Sequence, residues 1–338
     1  MSAPLYLSHP ACAGHDAGPH HPERPERLVA IEGELERRGW LGYERREAPL
    51  AAWEALAAVH SPGYVGTVRA LGEGAGGALD DTGETVVAPG SLEAALRAAG
   101  GACAMARALL AGEASAAFCA VRPPGHHAGA ESTSGFCIFN SVAVAAQHAL
   151  DALGASRVAI IDWDVHHGDG TNAIFRASDD VLYASIHQSG IFPGTGRLID
   201  VGARGGEGYS INLPVPAGSG EDAWLSLLEW IVVPAVAELG PDLILISAGF
   251  DAHREDPLAG CELEAGSFAE MARHVRAVGE RVGAPVGAVL EGGYALGALA
   301  GSVAATMEAL AADEAPGSVA PDFLTSRAAS HIGHYWRL

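Results

Sequence analysis

The sequence predicts an α/β fold with a mostly parallel central sheet and helices on both of its faces. Short runs rich in β-branched residues alternate with longer alanine-rich stretches of helical character, which is the pattern of a repeated strand-and-helix unit. Several of the short runs are apolar at nearly every position, as strands buried on both faces are. Of the 338 residues, 49% are hydrophobic and 18% are charged, so we expect one domain over residues 1–338 with a large core.

The predicted elements follow one another in a regular alternation. The predicted strands are Leu5–Leu7, Ala117–Val121, Val158–Asp162, Val181–Ile186, Leu243–Ser247 and Val286–Leu290. The predicted helices include Ser91–Ala111, Ser141–Leu153, Asp222–Leu239 and Ala265–Val282. Because helical crossovers join the later strands, those strands can lie parallel in one sheet.

The charge balance and the cysteines limit the classes of function. The net charge is −21 and no basic stripe is present, so we predict no nucleic-acid partner. Glu229 and Pro234 interrupt the longest apolar run, so we predict no membrane association. The five cysteines form no C-x-x-C pair, which favours free thiols in a cytoplasmic protein.

Polar residues are concentrated directly after the predicted strands. Five polar loops have this position: RPPGHH (122–127), DWDVHHGD (162–169), HQSGIFPGTG (187–196), AGFDAHREDP (248–257) and EGGY (291–294). Ligands of parallel α/β sheets bind at the carboxyl ends of the strands. The sequence therefore predicts that these loops converge on one pocket.

Two of these loops predict a metal site. Asp164 and His166 are two residues apart, so on an extended backbone their side chains project to the same side. Asp251, after a neighbouring strand, would complete a set of three ligands, and three protein ligands with an open fourth position are typical of catalytic zinc. The alternative for Asp164 and His166 taken alone is a solvated loop or a buried histidine with a partner.

Further residues suit acid–base chemistry. His126 and His127 follow a turn at Pro123-Pro124-Gly125, and Asp162 and Asp169 are carboxylates that could orient them. The alternative is a pair of metal ligands or a structural pair.

Three aromatic residues complete the candidate site. Tyr294 follows two glycines and could donate a hydrogen bond to a polarised carbonyl, or it could be a turn residue. Phe136 and Phe192 could line an apolar slot or belong to the ordinary core.

Taken together, these motifs resemble the zinc-dependent histone deacetylase family. The motifs are RPPGHHA, GFCIFN, DWDVHHGDGT, FPGTG, GFDAH and EGGY, and HPERPERL (21–28) is similar to the N-terminal signature of the bacterial, class II-like members. The superfamily also contains acetylpolyamine amidohydrolases and, more distantly, arginases. The resemblance implies a single-domain arginase/deacetylase-type fold with about eight strands and an active site at their carboxyl ends.

The resemblance also implies a role for each polar residue. The implied ligands of one catalytic zinc ion are Asp164, His166 and Asp251. The implied acid–base group is His126 and His127, backed by Asp162 and Asp169. In this group His127 would be the main base and His126 would give electrostatic support, while Tyr294 would stabilise the oxyanion.

Secondary sites are implied in the same way. The implied substrate-binding residues are Gly135, Phe136, Phe192, Leu258, Gly293 and Glu84, with Asp81 as an alternative rim carboxylate. A first potassium ion would be bound by Asp162, Asp164, His166, Ser185 and Ile186, and a second by Phe175, Ser178, Val181 and Tyr209. Arg27 would line a channel for the departing product.

Several alternatives stay open at this point. The substrate could be acetyl-lysine in a protein, an acetylpolyamine or an amide of secondary metabolism, and a homodimer or a homotetramer is compatible with the resemblance. An arginase-like two-metal hydrolase would need a carboxylate where Gly168 stands. A non-catalytic acyl-lysine binder would not need the complete set of reactive residues that this chain carries.

Overall fold

The centre of the computed structural model, which describes residues 2–338, is an eight-stranded sheet whose neighbouring strands are all parallel. Its strands are β1 (Leu5–Ser8), β2 (Glu44–Glu47), β5 (Ala116–Cys119), β6 (Val158–Asp162), β7 (Val181–Gln188), β8 (Ser210–Val215), β9 (Leu243–Ala248) and β10 (Val286–Leu290). Their order across the sheet is β2-β1-β5-β10-β9-β6-β7-β8. The short strands β3 (Gly77–Ala78) and β4 (Val86–Val87) form a separate antiparallel pair.

Helices occupy most of the chain between these strands. They are α1 (Glu26–Arg37), α2 (Trp53–Ala57), α3 (Pro62–Glu73), α4 (Ser91–Leu110), α5 (Ser141–Ala152), α6 (Asp169–Phe175), α7 (Glu221–Leu227), α8 (Val233–Leu239), α9 (Ala265–Val282), α10 (Leu296–Ala311) and α11 (Phe323–Ile332). Helix α4 packs against α5, and α10 packs against α1 and α9. No helix within residues 2–338 is both long and apolar enough to cross a lipid bilayer.

The predicted parallel α/β sheet is confirmed, with six of its strands anticipated from the sequence. Strand β2 was missed because it reads ERRE and all four residues are exposed, so it has no apolar pattern. Strand β8 was missed because Asn212 and Pro214 interrupt its apolar residues. The predicted helix over Asp222–Leu239 is present as a continuous helical run, in which a π-helical turn at Leu228–Val232 joins α7 to α8.

The core requires close contact between helix α4 and the sheet. A Cβ atom on Gly100 would lie 2.1 Å from the Pro49 carbonyl oxygen, and one on Gly101 would lie 3.0 Å from Cys119 Sγ. Two consecutive glycines in a buried helix weaken its intrinsic helical propensity. Their lack of side chains lets α4 pack closely against the segment that follows β2 and against the end of β5.

The sheet order explains where polar residues gather. Strands β5, β10, β9, β6 and β7 are consecutive neighbours, and all run in the same direction. Their carboxyl ends therefore lie along one edge of the sheet. The five polar loops predicted from the sequence leave the sheet along that edge.

Candidate active site

Three side chains from two neighbouring strand ends converge in a buried cluster, here called the ligand triad. Asp164 and His166 lie in the loop after β6, and Asp251 lies in the loop after β9. One ligand atom from each residue falls within 4.8 Å of the other two. His166 Nδ1 lies 3.1 Å from Asp164 Oδ1 and 3.1 Å from Asp251 Oδ2. The sequence-predicted triad is thus brought together around one imidazole nitrogen.

Backbone groups hold the two carboxylates of the triad in place. Asp164 Oδ2 accepts a hydrogen bond from Gly292 N at 2.8 Å, and Asp251 Oδ1 accepts one from Val165 N at 2.9 Å. A Cβ atom on Gly292 would lie 2.2 Å from Asp251 Oδ2, and one on Gly249 would lie 2.1 Å from Asp164 Oδ2. Glycine at both positions therefore lets the backbone approach the carboxylates closely.

The electrostatics of the triad are compatible with a bound cation. Burial opposes protonation of His166, but hydrogen bonds to Asp164 and Asp251 outweigh burial and raise the pKa of His166 to about 10. Burial and the charge of Asp164 raise the pKa of Asp251 to about 7. Both carboxylates are fully buried, at 0% exposure. Two carboxylates so close together need positive charge beside them to stay ionised.

The tandem histidines stand next to the triad, each with its own carboxylate. His126 Nδ1 lies 3.1 Å from Asp162 Oδ2, and His127 Nδ1 lies 2.7 Å from Asp169 Oδ1. The two imidazole centroids are 4.0 Å apart. This is the pairing that the sequence predicts, and a partner on Nδ1 leaves Nε2 of each ring to face other groups.

The two histidines differ in their protonation. Burial opposes protonation of His126, but the charges of Asp164 and Asp162 outweigh burial and hold its pKa well above the usual range. Burial and the charge of His126 lower the pKa of His127 to about 4, against the attraction of Asp169. At neutral pH these shifts favour the neutral form of His127 and the protonated form of His126.

Tyr294 lies in the loop after β10 and is 9% exposed. Its ring packs edge-on against Phe136, with centroids 5.9 Å apart, and the Arg27 guanidinium lies 5.1 Å from its ring centre. Burial raises the pKa of the phenol well above its usual value, so Tyr294 keeps its proton and can donate it in a hydrogen bond.

Arg27 is fully buried beneath this loop. Its Nε donates to the Gly293 carbonyl oxygen at 2.7 Å, and its Nη2 donates to the Glu291 carbonyl. Its Nη1 donates at 3.1 Å to Glu23, which also receives two hydrogen bonds from Arg122. Arg27 thus holds the backbone of the loop that carries Tyr294 through two hydrogen bonds.

The two predicted wall residues contact different residues of the candidate site. Phe192, which is 42% exposed, packs edge-on against His127 with centroids 5.0 Å apart, whereas Phe136 packs against Tyr294. Gly135 lies directly against His127, because a Cβ atom there would be 2.3 Å from its Cδ2. Leu258, 37% exposed, lies in the loop after β9.

The loop between β3 and β4 carries the candidate rim carboxylates. Glu84 and Asp81 are both exposed. Thr85 Oγ1 accepts a hydrogen bond from Phe136 N at 3.2 Å, and His21 links the Glu84 carbonyl oxygen, at 3.2 Å, to the Phe136 ring, at 4.5 Å between centroids. This acidic loop is therefore attached to one wall of the site.

The comparisons with known proteins agree with this geometry. Residues 21–310 match a family model described as the histone deacetylase domain. The chain belongs to the histone deacetylase family. It is 41% identical over 291 residues to a histone deacetylase-like amidohydrolase of Pseudomonas aeruginosa, covering 86% of this chain and 75% of that protein.

Two further family members show how far the likeness extends. A polyamine deacetylase of Homo sapiens (HDAC10) is 38% identical over 316 residues, covering 88% of this chain and 46% of that longer protein. The crystal structure of the HDA15 HD domain superposes with a TM-score of 0.90 at 34% identity, over 99% of this chain and 95% of that one. The histone deacetylase fold therefore extends over nearly the whole chain.

This family member has no room for an arginase-like second metal ligand at position 168. A Cβ atom on Gly168 would lie 2.3 Å from Asp162 Oδ2 and 2.6 Å from Tyr183 Oη. These two groups occupy the space that a carboxylate side chain would need, and Tyr183 Oη donates a hydrogen bond to Asp162 Oδ2 at 3.0 Å. The structure thus gives a steric reason against the two-metal alternative.

The residues predicted to bind potassium lie on β6, β7 and the segments beside them. Asp162 on β6 stands opposite Ser185 on β7, and Ser185 Oγ lies 2.9 Å from His187 Nδ1. Around the second predicted site, the Phe175 carbonyl accepts a hydrogen bond from Ser178 N, and the Tyr209 carbonyl accepts one from Tyr183 N, both at 2.9 Å. Potassium binding stays a prediction.

Sequence reasoning missed Glu291, which supports the tandem histidines. Its Oε2 accepts hydrogen bonds from Gly125 N at 2.7 Å and His126 N at 3.1 Å, and its Oε1 accepts one from Ser247 Oγ at 3.1 Å. Burial raises the pKa of Glu291 to about 7. The only available signal was its place in the EGGY loop, since its partners are remote in the chain.

Proposed function

We propose that this protein is a zinc-dependent amidohydrolase that removes an acetyl or related acyl group from an N-acylated amine. The observation that carries the proposal is the ligand triad, Asp164, His166 and Asp251, beside two His–Asp pairs and a protonated tyrosine. Membership of the histone deacetylase family supports hydrolysis of an amide bond. The metal and the substrate class are the proposed part.

The donor set of the triad fits zinc. One imidazole nitrogen and two carboxylate oxygens are ligands that zinc accepts, and three protein ligands leave a position for a reactant. His166 Nδ1 lies 3.1 Å from one oxygen of each carboxylate, so the three donor atoms are close enough together to hold a single ion. Two fully buried carboxylates also need a compensating cation. Zinc bound there would supply Lewis-acid polarisation of a carbonyl and a lowered pKa for water.

The chain's own residues then divide the proton transfers. His127, neutral at pH 7, accepts a proton from the attacking water at Nε2, while Asp169 holds its Nδ1. His126 stays protonated and contributes positive charge next to the reacting centre. The protonated His127 can return the proton to the leaving amine.

Tyr294 and the aromatic walls act on the substrate. The Tyr294 phenol keeps its proton and donates a hydrogen bond to the oxygen that becomes negative during attack. Phe192 against His127 and Phe136 against Tyr294 offer apolar surface to the aliphatic chain of the substrate and limit access of water.

A single assay tests this proposal. Hydrolysis of a fluorogenic acetyl-lysine amide should be lost on chelation and restored by zinc, and Tyr294→Phe should lower kcat by about 100-fold. Turnover that survives both chelation and Tyr294→Phe would contradict the mechanism. Binding of the amide without turnover would favour the non-catalytic acyl-lysine binder.

An acetylpolyamine is the second candidate substrate, favoured by the similarity to a human polyamine deacetylase (HDAC10). Asp81 and Glu84 are exposed on the acidic loop attached to Phe136, and the net charge is −21, which suits a cationic substrate of either kind. Values of kcat/KM for an acetyl-lysine peptide, N-acetylputrescine and N8-acetylspermidine in one buffer would decide between them. A preference for the peptide indicates a protein deacylase, and a preference for the polyamines indicates a small-molecule amidohydrolase.

The remaining parts of the proposal concern the cellular compartment, further ions, product release and assembly. All five cysteines are free thiols in the structure, which supports a reducing compartment, the cytoplasm. We keep structural potassium ions, release of the product past Arg27 and assembly into a homodimer or homotetramer as proposals. Elemental analysis and the mass of the assembly in solution test the first and the last.

A further inference from the structure

Asp256 is a buried carboxylate that the proposed mechanism does not use. It lies in the loop after β9, five residues beyond Asp251, and it is 7% exposed. Its Oδ2 accepts hydrogen bonds from Tyr294 N at 2.7 Å and Ala295 N at 3.3 Å. Its Oδ1 accepts one from Leu258 N at 3.0 Å. The side chain therefore connects the loops that follow two neighbouring strands.

The position explains how a carboxylate can be buried there. Helix α10 begins at Leu296, so Tyr294 and Ala295 are the residues directly before its first turn. The N-terminal end of a helix carries partial positive charge and unpaired N–H groups, both of which stabilise a carboxylate. Three backbone donors satisfy Asp256 without any basic side chain.

The backbone at Tyr294 needs such a restraint. It follows Gly292 and Gly293, and Gly293 has a φ of 116°, a conformation that glycine adopts with ease. Arg27 holds the Gly293 carbonyl from one side, and Asp256 holds the N–H of Tyr294 from the other. Because the glycines leave the chain many alternative conformations, these two contacts help to fix the backbone from which the phenol projects.

We propose that Asp256 is a positioning residue, which fixes the Tyr294 phenol through the backbone and links it to Leu258 at the rim of the site. The inference rests on the proposed role of Tyr294 as oxyanion donor. Oδ1 binds the backbone of Leu258 and Oδ2 binds the backbone of Tyr294 and Ala295, so a shift of the Leu258 backbone on substrate binding would move the backbone of Tyr294. Asp256 itself makes no contact with the reacting atoms.

The first test is Asp256→Asn, with Glu255→Gln as the matched control. Asparagine has only one acceptor oxygen, so its NH₂ group must face either Tyr294 N or Leu258 N. We expect kcat to fall by about 10- to 100-fold, as small misplacements of a catalytic group do, with KM changed far less. Zinc content and melting temperature should stay near wild type. Glu255 is exposed on the same loop, and its loss of charge should leave kcat unchanged.

The decisive test is a double-mutant cycle with Tyr294→Phe. If Asp256 acts through the phenol, Asp256→Asn should cost little further activity in the Tyr294→Phe background. A loss of equal size in both backgrounds would overturn the inference and indicate a general structural role. Asp256→Glu, which keeps the charge and both oxygens, is the second variant for the same cycle should Asp256→Asn fail to fold.

Failure of the inference and failure of the proposed function are distinguishable. If the proposed function is wrong, wild-type protein shows no zinc-dependent hydrolysis or Tyr294→Phe has no effect, whatever Asp256 does. If only the inference is wrong, wild type and Tyr294→Phe behave as expected while Asp256→Asn keeps full kcat, loses zinc, or shows the same loss in both backgrounds.

Discussion

His126 and His127 are adjacent in the chain and of one residue type, yet their surroundings shift their pKa values in opposite directions. His126 pairs with Asp162, whose side chain is fully buried, and lies 3.8 Å from Asp164. His127 pairs with Asp169, whose side chain is 32% exposed, and lies beside the positive His126. One histidine is therefore held protonated, and the other is held neutral.

The difference shows that a carboxylate partner alone does not set the state of a histidine. Both rings have one, so the contrast comes from the second negative group beside His126 and from the positive neighbour beside His127. A divalent cation on Asp164 would offset that residue's contribution, while the contribution of Asp162 would remain. The contrast supports the proposal that His127 accepts the proton.

The largest expected effect comes from removing each histidine in turn. His127→Ala should lower kcat by about 10³-fold because it removes the base, while zinc content stays at the wild-type level. His126→Ala should lower kcat by about 10²-fold because it removes only electrostatic support. Steady-state kinetics with metal analysis check both, and a larger loss in His126→Ala would reverse the assignment.

The carboxylate partners should differ in their effect on stability. Asp162 receives hydrogen bonds from Tyr183 Oη at 3.0 Å and Asp164 N at 3.1 Å besides its contact with His126. Asp162→Asn should therefore lower the free energy of unfolding by about 3–5 kcal/mol, as expected when a buried charge loses its partner.

Asp169→Asn is the matched control for that variant. Its carboxylate is partly solvated, so the loss should be only about 1 kcal/mol. Urea unfolding monitored by circular dichroism measures both variants. Equal losses would show that the environments of the two pairs do not differ as described.

The smallest expected effect is on how folding stability changes with pH, because His126 and His127 should contribute to it with opposite signs. His127 has a folded pKa of about 4, below its ordinary 6.5, so it adds stability above pH 6.5 that is lost as pH falls towards 4. His126 has a raised pKa, so it adds stability below pH 6.5 that is lost as pH rises through that pKa.

Melting temperatures of wild type and the two alanine variants across pH 4–9 reveal these signs. The stability difference between wild type and His127→Ala should shrink towards low pH. The difference between wild type and His126→Ala should shrink towards high pH. If both stability differences shrank towards the same end of the pH range, the opposite pKa shifts of the two histidines would be contradicted.

Much of the fold and of the candidate site followed from local sequence patterns. Buried parallel strands such as β9 are apolar along their length, and the polar residues directly after them had to meet at one edge of the sheet. Asp164 and His166 converge as their spacing predicts, but through bends stabilised by a hydrogen bond from His166 N to Asp164 Oδ1 at 2.9 Å rather than on the extended backbone that was expected. The exposed edge strand β2 lacked any such pattern.

The supporting residues could not be predicted in the same way. Glu291 contacts Gly125, 166 residues earlier in the chain, and Asp256 contacts Tyr294 over 38 residues. Such contacts depend on how loops from neighbouring strands pack together, which no local pattern encodes. The opposite protonation of the tandem histidines is hidden for the same reason, since it arises from burial and from charges on other loops.

The most direct test of the central claim is zinc reconstitution of metal-free protein, with hydrolysis of an acetyl-lysine peptide as the readout. The account predicts that activity rises with added zinc and reaches a plateau at one equivalent per chain. It also predicts that Asp251→Ala neither binds that equivalent nor becomes active. A plateau at two equivalents, or full activity without zinc, would contradict the single-metal site built from Asp164, His166 and Asp251.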